Sequence, residues 1–270
     1  MSTSYTATGI TLIARPFRGT GRMVTFYTRE RGTVEAAAQG VGKPGSSLAA
    51  AVEPFAMSTL FLVEGRGADR LTQARVIESF YDLRRTMARY AYAAAACELV
   101  LRTTEAGQVV PGLFEMLERY LRAMQTSDDP RLLSWAFELA WLELSGLGPV
   151  IERCVACDRE SLGGVYLASE GGVVCAECAP PGGGGLAVSP GVARGLAALR
   201  AFDLERLGRL RLPRPTCHAI ERLLSDHIRY HLDLSLKADR FVESLGAWRP
   251  PERRRRGADG EGHGGDRDDE

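Results

Sequence analysis

Over the first 77 residues the apolar positions fall in short runs, and from about residue 78 they recur at spacings of three and four. The early runs, 6–14, 23–28, 33–38, 54–64 and 71–77, are rich in valine, isoleucine, threonine and aromatic residues and predict five strands. The fourth alternates most clearly, with Phe55, Met57, Thr59, Phe61 and Val63 on one face. Gly19-Thr20-Gly21, Arg31-Gly32, the loop 40–47 and Gly65-Arg66-Gly67 separate the strands. This rhythm predicts a small barrel of the OB type, a scaffold that commonly binds single strands across one face. Phe26 and Tyr27 are adjacent, so only one can point outward for base stacking, and each reads as a core residue.

The later pattern is helical. Ile77, Tyr81 and Arg84, then Tyr90, Ala94, Cys97 and Leu101, keep three- and four-residue spacings. Pro111 opens a further helix through Leu121, and Ser127-Asp128-Asp129-Pro130 supplies the cap of a helix over 131–145. That helix is apolar on most sides, which makes it the expected core helix, and Gly146, Gly148 and Pro149 stop it. Pro180 to Gly185 reads as a flexible spacer, Ser189-Pro190 starts another helix, and 216–234 is helical again. From Pro250 the chain has arginine, glycine and acidic residues without apolar anchors, so the end is expected to be disordered.

Cysteine spacing adds a third unit. Cys154, Cys157, Cys175 and Cys178 form C-x2-C-x17-C-x2-C, the spacing of a four-thiolate zinc site. Two such turns complete a tetrahedral shell of soft ligands and leave no position open for water, so one structural zinc ion is expected. Disulfides or free thiols are the alternatives, and the lack of a secretory signal favours a reducing compartment. Glycine pairs around Val165-Tyr166-Leu167 and Val173-Val174 suggest a hairpin, giving a zinc ribbon. The expected class is therefore α+β: barrel 1–77, helical domain 78–153 and 189–245, inserted ribbon 154–179, spacer 180–188 and tail 246–270.

Lysine plus arginine and aspartate plus glutamate both number 34, so the net charge is zero. The distribution is uneven. Residues 1–50 carry Arg15, Arg18, Arg22, Arg29, Arg31 and Lys43 against only Glu30 and Glu35, and a second basic run lies at 194–214. Local clustering governs attraction to phosphate, so a neutral total leaves nucleic acid open, with a merely solvated face as the alternative. No phosphate loop, nucleophile elbow or dinucleotide fingerprint occurs, and no run of about 20 apolar residues is present. No catalytic residue, enzyme activity or membrane partner is expected. His227 and His231 share a helix face but lack a third ligand and read as packing or surface residues; Cys97 and Cys217 read as apolar fillers.

In this order the parts resemble the RecO family of bacterial recombination and repair proteins. The resemblance rests on residues 22–32, on the loop 40–46 leading to Glu53-Pro54-Phe55, on Glu78-Ser79-Phe80, on the run 144–149 before the first cysteine pair, and on Tyr230-His231-Leu232 followed by Lys237 and Arg240-Phe241. It implies a cytoplasmic, nucleoid-associated mediator of the RecF pathway that binds single- and double-stranded DNA, anneals complementary strands and, with RecR, helps load RecA onto DNA covered by single-stranded-DNA-binding protein. Arg22 matches the basic position entering the second strand and Lys43 the basic loop before the fourth, although Gly42, Gly45 and Ser47 stand where relatives carry further basic residues. The resemblance also implies capture of the acidic tail of single-stranded-DNA-binding protein. Arg206, Arg209 and Arg211, interleaved with Leu204, Leu207 and Leu210, are candidate contacts; the alternative is core leucines with solvated arginines. The competing class is a zinc-ribbon adaptor that recognises proteins without DNA.

Overall fold

The computed structural model describes residues 3–182 and 184–234, apart from the side chains of Glu205 and Arg206. The expected tail 246–270, the segment 235–245 and the motif residues Lys237, Arg240 and Phe241 lie outside the described residues.

Five strands come first: β1 (Ser4–Phe17), β2 (Gly21–Thr28), β3 (Gly32–Ala38), β4 (Met57–Val63) and β5 (Asp69–Glu78). They close into a barrel in the order β1-β2-β3-β5-β4. β1 serves both neighbours, pairing with β4 through residues 4–10 and with β2 through residues 9–17. Only the β3–β5 contact is parallel, with Ala37 beside Arg70. Val24, Phe26, Ala36, Leu60, Leu62 and Leu71 fill the interior.

Strand geometry corrects the expected fourth run at Phe55 alone; Met57, Thr59, Phe61 and Val63 share one face of β4 as expected. Phe55 sits before the strand with φ of 74°, outside extended geometry, so the alternation does not begin there. Within β4 it is Leu60 and Leu62 that point inward, while Thr59, Phe61 and Val63 face out. β5 also starts two residues earlier than the apolar run suggested, because Asp69 and Arg70 pair with β3.

Seven helices follow among the described residues: α1 (Tyr81–Arg85), α2 (Met87–Thr103), α3 (Leu113–Thr126), α4 (Pro130–Leu144), then α5 (Pro190–Arg200), α6 (Leu204–Arg209) and α7 (Arg214–Leu232). The Asp129 side chain accepts from Leu132 N at 3.2 Å and the Ser189 hydroxyl from Val192 N at 3.3 Å, so both predicted caps form. α4 is the central helix, with Leu132, Trp135, Phe137, Leu139, Trp141 and Leu142 buried beneath α2, α3, α5 and α7.

Barrel and helices share one wall. Phe26 and Tyr27 are both fully buried, on opposite sides of β2: Phe26 fills the barrel, and Tyr27 joins Ile10, Leu12, Phe55 and Met57 in the helical core. The Tyr27 hydroxyl accepts from Val110 N at 3.0 Å. Arg29 adds an outer tie from the barrel to α3, reaching Glu115 at 3.0 Å and Glu118 at 3.4 Å.

Between α4 and α5 lies a small sheet, β6 (Gly164–Leu167), β7 (Gly172–Val174) and β8 (Leu186–Val188), in the order β7-β6-β8. β6 and β7 are the expected hairpin. β8 belongs to the stretch 180–188 expected to be a spacer; residues 186–188 pair with β6 because that edge of the hairpin would otherwise lack partners.

Gly32, in the tight β2–β3 turn, has φ of 59°, and a β-carbon there would stand 1.9 Å from the carbonyl oxygen of Gln108. Gly19 has φ of 62° with nothing within 4 Å. Gly32→Ala should therefore destabilise the protein by about 2–4 kcal/mol, combining backbone strain with overpacking, whereas Gly19→Ala should cost only about 1 kcal/mol. Denaturant midpoints of the two variants check this, and equal losses would show that the backbone at Gln108 yields freely.

Candidate nucleic-acid interface and metal centre

The six basic residues singled out near the N-terminus divide into two groups. Arg15 pairs with Glu35 at 2.9 Å, Arg31 with Glu64 at 2.7 Å, and Arg29 with the α3 carboxylates described above. Arg31 also lies 3.7 Å over the ring of Tyr5, and Arg29 lies 4.4 Å over that of Phe114. These three arginines are largely committed to the fold. Arg18, Arg22 and Lys43 form no ion pair among the described residues, and Arg18 and Arg22 are exposed.

Backbone contacts bring these three to one end of the barrel. Arg18 belongs to the β1–β2 turn, where Gly21 N donates to Arg18 O at 3.2 Å, and Arg22 follows immediately. The long β3–β4 loop folds over this turn, with Gly42 N donating to Thr20 O at 2.9 Å and Lys43 N to Gly40 O at 3.1 Å. A β-carbon on Gly42 would stand 3.3 Å from that of Thr20, and Gly45 has φ of 72°. Glycine at these two positions thus serves the close approach of the loops and a left-handed turn.

Arg70 is a residue that sequence reasoning misses. It is exposed and unpaired among the described residues, and its neighbour across the sheet is Ala37, itself beside Met23, one residue from Arg22. No local signal marks it, because the parallel β3–β5 pairing joins segments more than 30 residues apart.

The second basic run is placed differently. Arg200 bridges Glu143 and Glu152, both at 3.0 Å, so it anchors α5 to the ribbon's entry. Leu199, Phe202 and Leu207 are core residues, while Leu204 and Leu210 are half-buried against that core, so the alternative reading holds fully for Leu207 and in part for the other two. Arg209 and Arg211 are exposed; Arg211 donates to the carbonyls of Gly208 at 3.0 Å and Leu210 at 2.8 Å and borders a cleft of about 270 Å³ between α3, α4 and α6. Leu132, Leu133, Leu204 and Leu207 line its apolar part, and Asp128 and Asp129 stand at its rim. Arg206 lies in α6, but its side chain is outside the described residues.

The four ribbon cysteines converge. Their sulfurs all lie within 4.8 Å of one another, with Cys157 and Cys175 at 3.9 Å. A tetrahedral shell of thiolates about 2.3 Å from one ion requires sulfur separations near this value, so the donor set and its dimensions fit a structural metal. The N–H of Cys175 donates to Cys154 Sγ at 3.3 Å and leads in lowering that thiol to about 6, which favours the thiolate a metal needs. Hydrogen bonding with Cys157 and then Cys175 pushes the Cys178 thiol up to about 12.

The ribbon is keyed to α7 by a buried histidine. Neutral His227 donates from Nε2 to Leu147 O at 2.6 Å and accepts at Nδ1 from the Tyr166 hydroxyl, and burial holds its imidazole down at about 4. The His231 ring lies tilted against it, with ring centroids 4.3 Å apart. The two histidines are thus packing residues, and the four-cysteine group is the one candidate metal cluster among the described residues.

Residues 1–80 match a family profile described as Recombination protein O N terminal, and residues 84–240 match one described as Recombination protein O C terminal. Proteins named DNA repair protein RecO are similar over nearly the whole chain. The one from Pelotomaculum thermopropionicum is 35% identical over 243 residues, 90% of this chain and 94% of the relative. The one from Symbiobacterium thermophilum is 35% identical over 247 residues, 89% and 97% of the two chains. The one from Bacillus subtilis is 29% identical over 237 residues, 88% and 93%.

Elemental analysis of the purified chain should find one thiolate-bound metal ion per chain, absent from a Cys175→Ala, Cys178→Ala variant. Retention of the ion by that variant would place the metal elsewhere. Metal removal should loosen the 154–178 segment, read by amide exchange, while the barrel keeps its protection, because no barrel strand pairs with the ribbon sheet.

Proposed function

Since the chain belongs to the RecO family of DNA repair proteins, we propose that it works as a non-enzymatic recombination mediator, binding single- and double-stranded DNA, annealing complementary strands and, with RecR, helping to load RecA. The observation that carries this reading is the gathering of Arg18, Arg22, Lys43 and Arg70 at one end and along one wall of the barrel, free of the carboxylates that occupy Arg15, Arg29 and Arg31. Unpaired guanidinium and ammonium groups bind phosphate oxygens regardless of base, which suits a protein that must act on any damaged sequence. Zinc is the ion we assign to the ribbon, because four thiolates in a closed tetrahedral shell suit its softness and lack of geometric preference. It would hold the hairpin against the 150–155 segment and supply no reactive position. The cell compartment that follows is the cytoplasm, at the nucleoid. No helix among the described residues is long and apolar enough to cross a membrane.

The acidic tail of single-stranded-DNA-binding protein is a further partner in this proposal, and the cleft beside Arg211 is where we assign it. Its leucines suit the apolar end of such a tail, while Arg211, which lines the cleft, and exposed Arg209 at the end of α6 offer donors to its carboxylates. Asp128 and Asp129 oppose an acidic ligand, which confines the charged part of the tail to the arginine side.

Two measurements test the proposal. Replacing Arg22 and Lys43 by alanine should weaken binding to unrelated DNA sequences alike and flatten the dependence of log affinity on log salt by about 0.7 to 0.9 for each phosphate that is no longer neutralised. Arg29→Ala should change the slope much less, since that guanidinium already faces α3. An unchanged slope in the Arg22, Lys43 variant counts against this end of the barrel. For the tail, fluorescence anisotropy with a labelled acidic peptide should show weaker binding by an Arg209→Ala, Arg211→Ala variant, and equal affinity would remove the cleft as its site.

A further inference from the structure

Phe61 is 40% exposed in the middle of β4, a strand hydrogen-bonded on both sides. An exposed aromatic is unremarkable alone, and its surroundings are what distinguish this one. Thr6 of β1 and Gln73 of β5 stand directly across from it, and the next row holds Thr8, Thr59 and Arg75. In the opposite direction the row ends at Arg70, beside Val63. Arg70 and Arg75 are both exposed and have no carboxylate partner among the described residues. They lie about 15 Å apart along β5, with the Phe61–Gln73 pair between them.

Carboxylates stay at the rim of this surface and are engaged there. Glu30 accepts from Thr8 N at 2.8 Å, Glu64 holds Arg31, and Asp69 accepts from the Tyr5 hydroxyl. Within the rows themselves the side chains are hydroxyl, amide and guanidinium groups, the aliphatic Val63 and one aromatic ring. The strand next to Phe61 is also locally irregular: Thr72 is an extra residue in β5, and its hydroxyl donates to Phe61 O at 2.9 Å. This pins the backbone that presents the ring.

We propose that the outer face of β1, β4 and β5 is a stacking platform for a single nucleic-acid strand, with a base lying on Phe61 and phosphates drawn to Arg70 and Arg75. The inference rests on the nucleic-acid-binding reading above and adds a surface to it. Arg70 joins the two, since it adjoins Ala37 on one side and Val63 on the other. A base must be unstacked from its own helix to lie on an aromatic ring, so this face takes single strands and excludes duplex. A strand held here beside a second nucleic-acid segment at Arg18, Arg22 and Lys43 would place two strands on one barrel, the juxtaposition that annealing requires.

The test compares Phe61→Ala, Phe61→Trp and the unaltered full chain, with circular dichroism confirming the fold. Phe61→Ala should bind oligothymidylate roughly tenfold more weakly while keeping its affinity for a blunt duplex, in line with the usual contribution of one stacked base. Phe61→Trp should retain binding, and its added indole fluorescence should be quenched on saturation with oligothymidylate and left unquenched by duplex. Arg75→Ala should lower the salt slope for the single strand by about 0.7. Wild-type affinity of Phe61→Ala for oligothymidylate, or an unquenched indole at saturation, would overturn the platform and leave the Arg22 and Lys43 interface standing. Failure of the unaltered chain to bind either nucleic acid would instead overturn the reading on which the platform rests.

Discussion

A strand that closes a barrel has two faces, and here both faces of β2 are dry from Val24 to Thr28. Phe26 points into the barrel and Tyr27, the next residue, points into the helical core, so a single strand serves two hydrophobic interiors. The period of two in β geometry makes this arrangement obligatory once the barrel closes against the helices. Ile10, Leu12, Phe55 and Met57 extend the shared wall, and burying each such side chain contributes on the order of 2 kcal/mol. The wall is also why the barrel's remaining outer faces are the ones available to ligands.

Charge follows the same division. Near the shared wall, Arg29 is drawn to Glu115 and Glu118, which ties the β2–β3 turn to α3. Farther round, Arg15 and Arg31 find carboxylates within the barrel, and each such exposed pair adds little stability while cancelling a charge that could meet phosphate. Arg18, Arg22, Lys43, Arg70 and Arg75 are left without an ion pair among the described residues. A chain with zero net charge thereby presents a locally positive surface, because pairing removes cations selectively.

The ribbon is held by two different kinds of constraint. Its cysteines gather one end about a point, and His227 locks the other end, bridging Tyr166 on β6 to Leu147 beyond α4. β8 finishes the sheet and leads directly into Ser189, the cap of α5. The insertion is therefore a rigid elbow between α4 and α5, with Arg200 bridging Glu143 and Glu152 across its base.

Much of this was legible in residue order. The five strands, the core helix α4 with its Asp129 cap, the Ser189-Pro190 start of α5 and the four metal ligands are all local patterns, in which neighbouring residues carry the whole signal. The tertiary structure alone decided which arginines are free, since Arg15 meets Glu35 and Arg31 meets Glu64 only through strand register. It alone revealed that the face shared by Thr59, Phe61 and Val63 is the outer one, because closure of the barrel, with Leu60 and Leu62 inside, decides which side of the strand is the interior. It alone brought Arg70 beside Ala37, through a parallel pairing between strands joined by a long connection. Periodicity reports which residues share a face, whereas the occupant of that face, solvent, carboxylate or a second core, is set by contacts between distant segments that no local pattern encodes.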